Sequence, residues 1–148
     1  MVKNKFLIIN GPNLNMLGAR ESEIYGRDSL KDVQNWTEEK LGLESVSIEW
    51  FQSNIEGEIV TKIQLASKDK INAVIINPGA YSHTSVAIYD ALKLLNVPII
   101  EVHLSNTHGR ESFRSNKITA KASTIIMEGL GKQSYFQAVY SQVLKSDS

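Results

Sequence analysis

Short apolar runs alternate along the chain with longer stretches in which apolar residues recur every three or four positions. Phe6–Asn10 is a continuous run stopped by Gly11-Pro12, the mark of a buried strand. Leu30–Leu41 has helical spacing, and Asp28 or Ser29 offers a side-chain oxygen to cap it. Alternating Val46, Ile48 and Trp50 predict a second strand with one face in the core. Ile55, Ile59, Ile63 and Ala66 mark one stripe of a helix. Ala73–Asn77, ended by Pro78-Gly79, is a third strand, and Ser85–Leu95 a helix turning Ile88, Leu92 and Leu95 inward. Val97–Val102 is a fourth strand, the polar stretch from Leu104 to Lys117 has no period, and Thr124–Met127 is a fifth strand punctuated by Gly129 and Gly131. Phe136, Val139, Tyr140, Val143 and Leu144 lie at i, i+3, i+4, i+7 and i+8, which predicts a final helix.

Strands that alternate with helices imply an α/β fold, a parallel sheet covered on both faces. The common solution at this size is the flavodoxin-like three-layer sandwich, a five-stranded parallel sheet of order 2-1-3-4-5. Its ligand crevice lies beyond the carboxyl ends of strands 1 and 3, where the strand order reverses. Residues that carry chemistry should therefore follow strands 1, 3 and 4.

At 148 residues, without a repeat or linker, residues 1–148 read as one domain. Sixteen basic and sixteen acidic side chains cancel, which argues against a nucleic-acid partner. The chain has no cysteine, so disulfides, thiolate nucleophiles and cysteine metal sites are excluded. No apolar run approaches a signal core or a membrane span, so the expectation is a cytoplasmic protein with no membrane partner.

The loop after strand 1 reads Asn10-Gly-Pro-Asn-Leu-Asn-Met-Leu-Gly18, followed by Arg20-Glu21 and Tyr25-Gly26. It lacks the ending of a phosphate-binding P-loop and is not GxGxxG, so a turn closed by asparagine side chains is the plainer reading. Tyrosine ionises near pH 10 and is an ordinary surface residue, but a neighbouring guanidinium such as Arg20 favours its phenolate. After strand 3, Asn77 and His83 fall at the crevice mouth, with Ser82, Thr84 or Ser85 as helix caps. His83 can equally decorate the first helical turn. Asp90 would lie two turns along that helix on the same face, far from its own pocket unless an oligomer carries it to a neighbour's.

After strand 4, Glu101 and His103 are two apart and face one side of the sheet. A carboxylate partner orients an imidazole and favours its protonated form, suiting it to act as an acid. Arg110 and Arg114 share a face if that segment is briefly helical, and two arginines suit an anionic substrate. His103 and His108 match no usual zinc spacing, so no metal is expected.

Together these stretches, with Gln52-Ser53-Asn54 and Glu56-Gly57-Glu58, resemble the type II 3-dehydroquinate dehydratases, in register from about residue 6 to 131. The resemblance implies anti elimination of water from 3-dehydroquinate to give 3-dehydroshikimate through an enolate, with no metal or organic cofactor. It places the reaction in the shikimate pathway, with quinate catabolism as the alternative use. Carried over by position, Tyr25 is the base at C2 and Arg20 its activator. His103, oriented by Glu101, is the acid at the C1 hydroxyl, and Asn13 stabilises the enolate. Asn77, His83, Leu104, Ser105 and Arg114 bind substrate, Arg110 lies in or near the site, and residues 19–26 form a lid. The resemblance also implies a homododecamer, a tetramer of trimers, in which Asp90 reaches a neighbouring subunit's site.

Three positions depart from the family pattern: Ser22 for a proline, Ser82 for a threonine and Gly109 for an alanine. The rival readings are a non-enzymatic flavodoxin-like binding module and an inactive paralogue. The first would tolerate loss of Tyr25 or His103; the second should lack one of Arg20, Tyr25 and His103, all of which are present.

Overall fold

The computed structural model describes residues 3–19 and 22–146, apart from the side chains of Ser22 and Tyr25. Five parallel strands lie in the order β2-β1-β3-β4-β5: β1 Asn4–Asn10, β2 Val46–Gln52, β3 Ala73–Asn77, β4 Ile99–His103 and β5 Ile125–Glu128. The helices are α1 Ser22–Tyr25, α2 Leu30–Leu41, α3 Glu56–Ala66, α4 Val86–Leu92 and α5 Gln133–Ser146. This is the expected flavodoxin-like order. Every residue of β3 and β4 is buried, as befits central strands covered on both faces.

Alternation along the strands divides the core in two. Phe6, Ile8 and Ile75 pack with Val33 of α2 and Tyr135, Ala138 and Val139 of α5. Leu7, Ile9, Val74 and Ile76 pack on the other face with Ile59 and Ile63 of α3 and Ile88 and Leu92 of α4. The cap of α2 is Ser29, not Asp28: its hydroxyl accepts from the Asp32 N–H, and the Asp32 carboxylate accepts from the Ser29 N–H.

Local chemistry explains where the elements depart from the pattern. β1 starts two residues early because Asn4 and Lys5 pair with Val46 and Ser47. β4 starts at Ile99, since Pro98 has no N–H to give the ladder, and it runs on to include His103. β5 takes in Glu128 as the partner of His103. α4 is shorter than predicted, ending at Leu92 before the turn that leads to Pro98. Ile55, predicted on the α3 stripe, instead precedes the helix and is 59% exposed. The final helix is rotated from expectation: Tyr135, Ala138, Val139 and Gln142 are buried, whereas Tyr140 and Leu144 face outward.

Candidate active site

A cavity of about 110 Å³ opens at the carboxyl ends of β1, β3 and β4. Pro12, Asn13 and Leu14 line it from the loop after β1, and Asn77, Gly79, Ala80 and His83 from the exit of β3. His103, Leu104, Ser105, Thr107, Arg110 and Arg114 complete it from the exit of β4. The three loops singled out in the sequence therefore meet where the strand order reverses.

The first wall depends on close backbone approach. A Cβ on Gly11 would lie 2.2 Å from the Pro78 carbonyl oxygen, so only glycine fits between the exits of β1 and β3. Asn13 is the one non-glycine with positive φ, 68°, among the described residues, a conformation asparagine tolerates better than most. Its N–H donates to Asn54 Oδ1 at 3.0 Å, and Gln52 Nε2 donates to the Gly11 carbonyl at 3.1 Å. The Gln52-Ser53-Asn54 stretch thus buttresses the loop that carries Asn13.

The third wall holds a buried acid–base pair. Glu101 is 0% exposed, and His103 Nε2 lies 2.7 Å from Glu101 Oε2. Ser82 Oγ donates to Oε2 at 2.8 Å and Thr119 Oγ1 to Oε1 at 2.5 Å, so both carboxylate oxygens are engaged. A buried carboxylate needs such partners, and here both oxygens have them. The His103 ring is fixed with Nδ1 turned away from Glu101. His83 stacks near it, ring centroids 6.4 Å apart and planes at 23°. His83 Nδ1–H donates to the Asn116 carbonyl at 2.8 Å, which leaves Nε2 an acceptor. Burial lowers the pKa of His83 despite that bond, and the charges of His103, Arg114 and Lys117 push the same way.

Two cations face the cavity. Arg114 Nε donates to Glu111 Oε2 at 2.9 Å, and Arg110 Nη1 approaches Ser105 Oγ at 3.4 Å. Arg114 in turn holds the exposed Glu111 carboxyl below its ordinary range. Beneath this loop, Glu128 of β5 accepts from the Thr107 N–H and hydroxyl, with Lys117 Nζ at 3.4 Å and His108 Nδ1 at 3.4 Å.

Of the residues expected at the site, Asn13, Asn77, His83, His103, Leu104, Ser105 and Arg114 line one cavity, with Glu101 directly behind His103. Arg110, expected in or near the site, lines it too. Asp90 does not: it is exposed on α4. His83 belongs to the tight turn Gly79–His83 ahead of the helix, which Ser85 caps. The expectation that Asp90 and His83 share a helical face therefore fails, because His83 precedes the helix. Arg20 lies outside the described residues, as does the Tyr25 side chain.

The sequence reading missed Tyr135, Thr119, Lys117 and Glu128. Tyr135 had a signal, since it shares an i, i+3, i+4, i+7 stripe with Ala138, Val139 and Gln142. Thr119 had none: it reaches Glu101 from a tight turn 18 residues away.

Residues 4–143 match the family described as Dehydroquinase class II. The 3-dehydroquinate dehydratase of Caldicellulosiruptor bescii is 51% identical over 137 residues, covering 93% of this chain and 94% of that protein. The crystal structure of type II dehydroquinase from Butyrivibrio crossotus superposes with a TM-score of 0.92 at 40% identity, covering 95% of this chain and 98% of the other. That of type II dehydroquinase from Propionibacterium acnes superposes with a TM-score of 0.86 at 37% identity, covering 96% and 98%. With the strand order, the cavity and the match over nearly its whole length in agreement, the chain belongs to the class II dehydroquinase family.

Proposed function

We propose that the chain is a 3-dehydroquinate dehydratase, removing water from 3-dehydroquinate by anti elimination to give 3-dehydroshikimate in the cytoplasmic shikimate pathway. The observation that carries this reading is the Glu101–His103 pair, buried and hydrogen-bonded on both carboxylate oxygens at the wall of an arginine-lined cavity.

Elimination needs a base at C2 and an acid at the C1 hydroxyl. Tyr25, as phenolate beside Arg20, takes the C2 proton, and the electron pair moves into the ketone to form an enolate. Asn13, on its buttressed loop, stabilises that charge. Protonated His103 then delivers a proton from Nδ1 to the C1 oxygen, which leaves as water while the enolate returns its electrons to form the double bond. Glu101 stabilises the imidazolium before transfer and holds the ring in line. Arg114 binds the substrate carboxylate, and Asn77, His83, Ser105 and the Leu104 backbone its remaining oxygens. No step calls for a metal or organic cofactor. In a dodecamer built of trimers, Asp90 reaches the site of a neighbouring subunit.

The test is the rise of enone absorbance when purified protein meets 3-dehydroquinate in the presence of EDTA. Tyr25→Phe should lower kcat by about a hundredfold or more while substrate still binds, since a general base contributes on that scale. A loss smaller than tenfold would remove Tyr25 from the role. A silent wild type, folded and assembled, would favour the inactive paralogue.

A further inference from the structure

Asn10 and Asn77 are Cα partners at the ends of β1 and β3, side by side where the strand order reverses. Both are buried, and both bond to a single hydroxyl. Tyr135 of α5, itself 0% exposed, donates from Oη to Asn10 Oδ1 at 2.5 Å and accepts from Asn77 Nδ2 at 3.1 Å. Its ring is wedged edge-on against Trp50, centroids 5.6 Å apart, and Trp50 Nε1 is anchored to Glu38 at 2.8 Å. The hydroxyl therefore has a fixed position relative to the sheet, set by packing on α2, β2 and α5.

Asn77 is the only one of the three that reaches the cavity wall. Its Oδ1 accepts from the Gly79 N–H at 3.2 Å, and one Nδ2 hydrogen goes to Tyr135. A flipped amide would set its NH2 against the Gly79 N–H. The amide has one allowed orientation, and its second Nδ2 hydrogen is the group left for a ligand. Burial pushes the Tyr135 phenol well above its ordinary value, so the hydroxyl stays protonated and the arrangement holds throughout the working pH range.

We propose that Tyr135 is a positioning residue for substrate binding: its hydroxyl, clamped between Asn10 and Asn77, locks the Asn77 amide so that the cavity presents a fixed hydrogen-bond donor to a substrate oxygen. The inference rests on the dehydratase reading for the identity of the substrate. The clamp itself is a property of the free protein. Tyr135 touches no reacting atom, and its influence belongs in binding more than in proton transfer.

Tyr135→Phe keeps the ring against Trp50 and removes only the hydroxyl. It should raise KM for 3-dehydroquinate about fivefold, the scale of one hydrogen bond, with a smaller change in kcat. Asn77→Ala should raise KM at least as much. If Tyr135 acts through Asn77, the double variant Asn77→Ala/Tyr135→Phe matches Asn77→Ala alone. Multiplying effects, or an unchanged KM in the folded Phe variant, would overturn the proposal. Should the Phe variant not fold, the wild type still decides. In its NMR spectrum one Asn77 Nδ2 proton should exchange slowly in the free protein, and only the other should shift when 3-dehydroquinate and its product are added. Two equally exchanging protons would refute the clamp, whatever turnover the wild type shows; absence of turnover in the wild type would refute the dehydratase reading and leave the clamp standing.

Discussion

His83 shows how one side chain is tuned by its surroundings. Its Nδ1–H is committed to the Asn116 carbonyl, and the cations of the site surround its ring. Burial and those charges hold the folded pKa below the ordinary 6.5. The folded protein therefore binds fewer protons than the unfolded chain just below that pH. The stability due to neutral His83 is complete above 6.5, is lost as the pH falls from 6.5 toward the folded value, and changes no further below it. A neutral ring also preserves Nε2 as an acceptor for a substrate hydroxyl, so substrate affinity should hold down to the folded value, below 6.5, and weaken as the pH falls through it. An NMR titration of the His83 ring should give a midpoint below 6.5 in the free protein. A midpoint at or above that value would mean that the Asn116 bond outweighs burial and the surrounding cations.

At the scale of elements, the strand exits were legible because they rest on local signals. Gly11-Pro12 and Pro78-Gly79 stop their strands where the pattern says, and Glu101 reaches His103 because alternate residues share a face. Less legible was whatever depends on contacts far apart in sequence. The segment 104–117 has no period because side chains tie it down in place of a backbone ladder, with tight turns at Thr107–Gly109 and Ser112–Ser115. Its tether is Glu128, which the sequence places just past an apolar run and the register sets beside His103. Burial alone would raise the pKa of Glu128, but the Thr107 hydroxyl and Lys117 outweigh it and the folded value is lowered. Its stabilisation is therefore present above the ordinary 4.5 and lost as the pH falls through the folded value. Lys117 Nζ is buried against it, so Glu128→Gln strands a charge. We expect a loss of about 1–3 kcal/mol at neutral pH, below the range for a fully buried pair because Glu128 keeps some solvent contact. Urea unfolding should show that difference shrinking as the pH drops below 4.5. A pH-independent difference would mean that Glu128 acts through packing and not through its charge.

For the molecule as a whole, the outer face of α4 is where assembly is put to the test. Asp90 stands exposed there, one helical turn after Val86, which is 56% exposed, and both lie away from the cavity of their own chain. An exposed acid on a surface helix contributes little to folding, so Asp90→Ala should leave the unfolding curve within about 0.5 kcal/mol of wild type. If Asp90 completes a neighbour's site, its loss removes a charged hydrogen bond from every cavity in the assembly. KM should then rise about tenfold or more, the scale of such a bond, with the fold intact. Sedimentation separates the two ways this can happen. The wild type should run at the mass of a dodecamer, against 16.5 kDa for one chain. A variant that keeps this mass with a raised KM assigns Asp90 to substrate contact across the interface, whereas one that dissociates and loses activity assigns it to holding the subunits together. A monomeric wild type with full activity would remove the neighbour from the mechanism, and each chain would then turn over substrate with the cavity it builds from its own three strand exits.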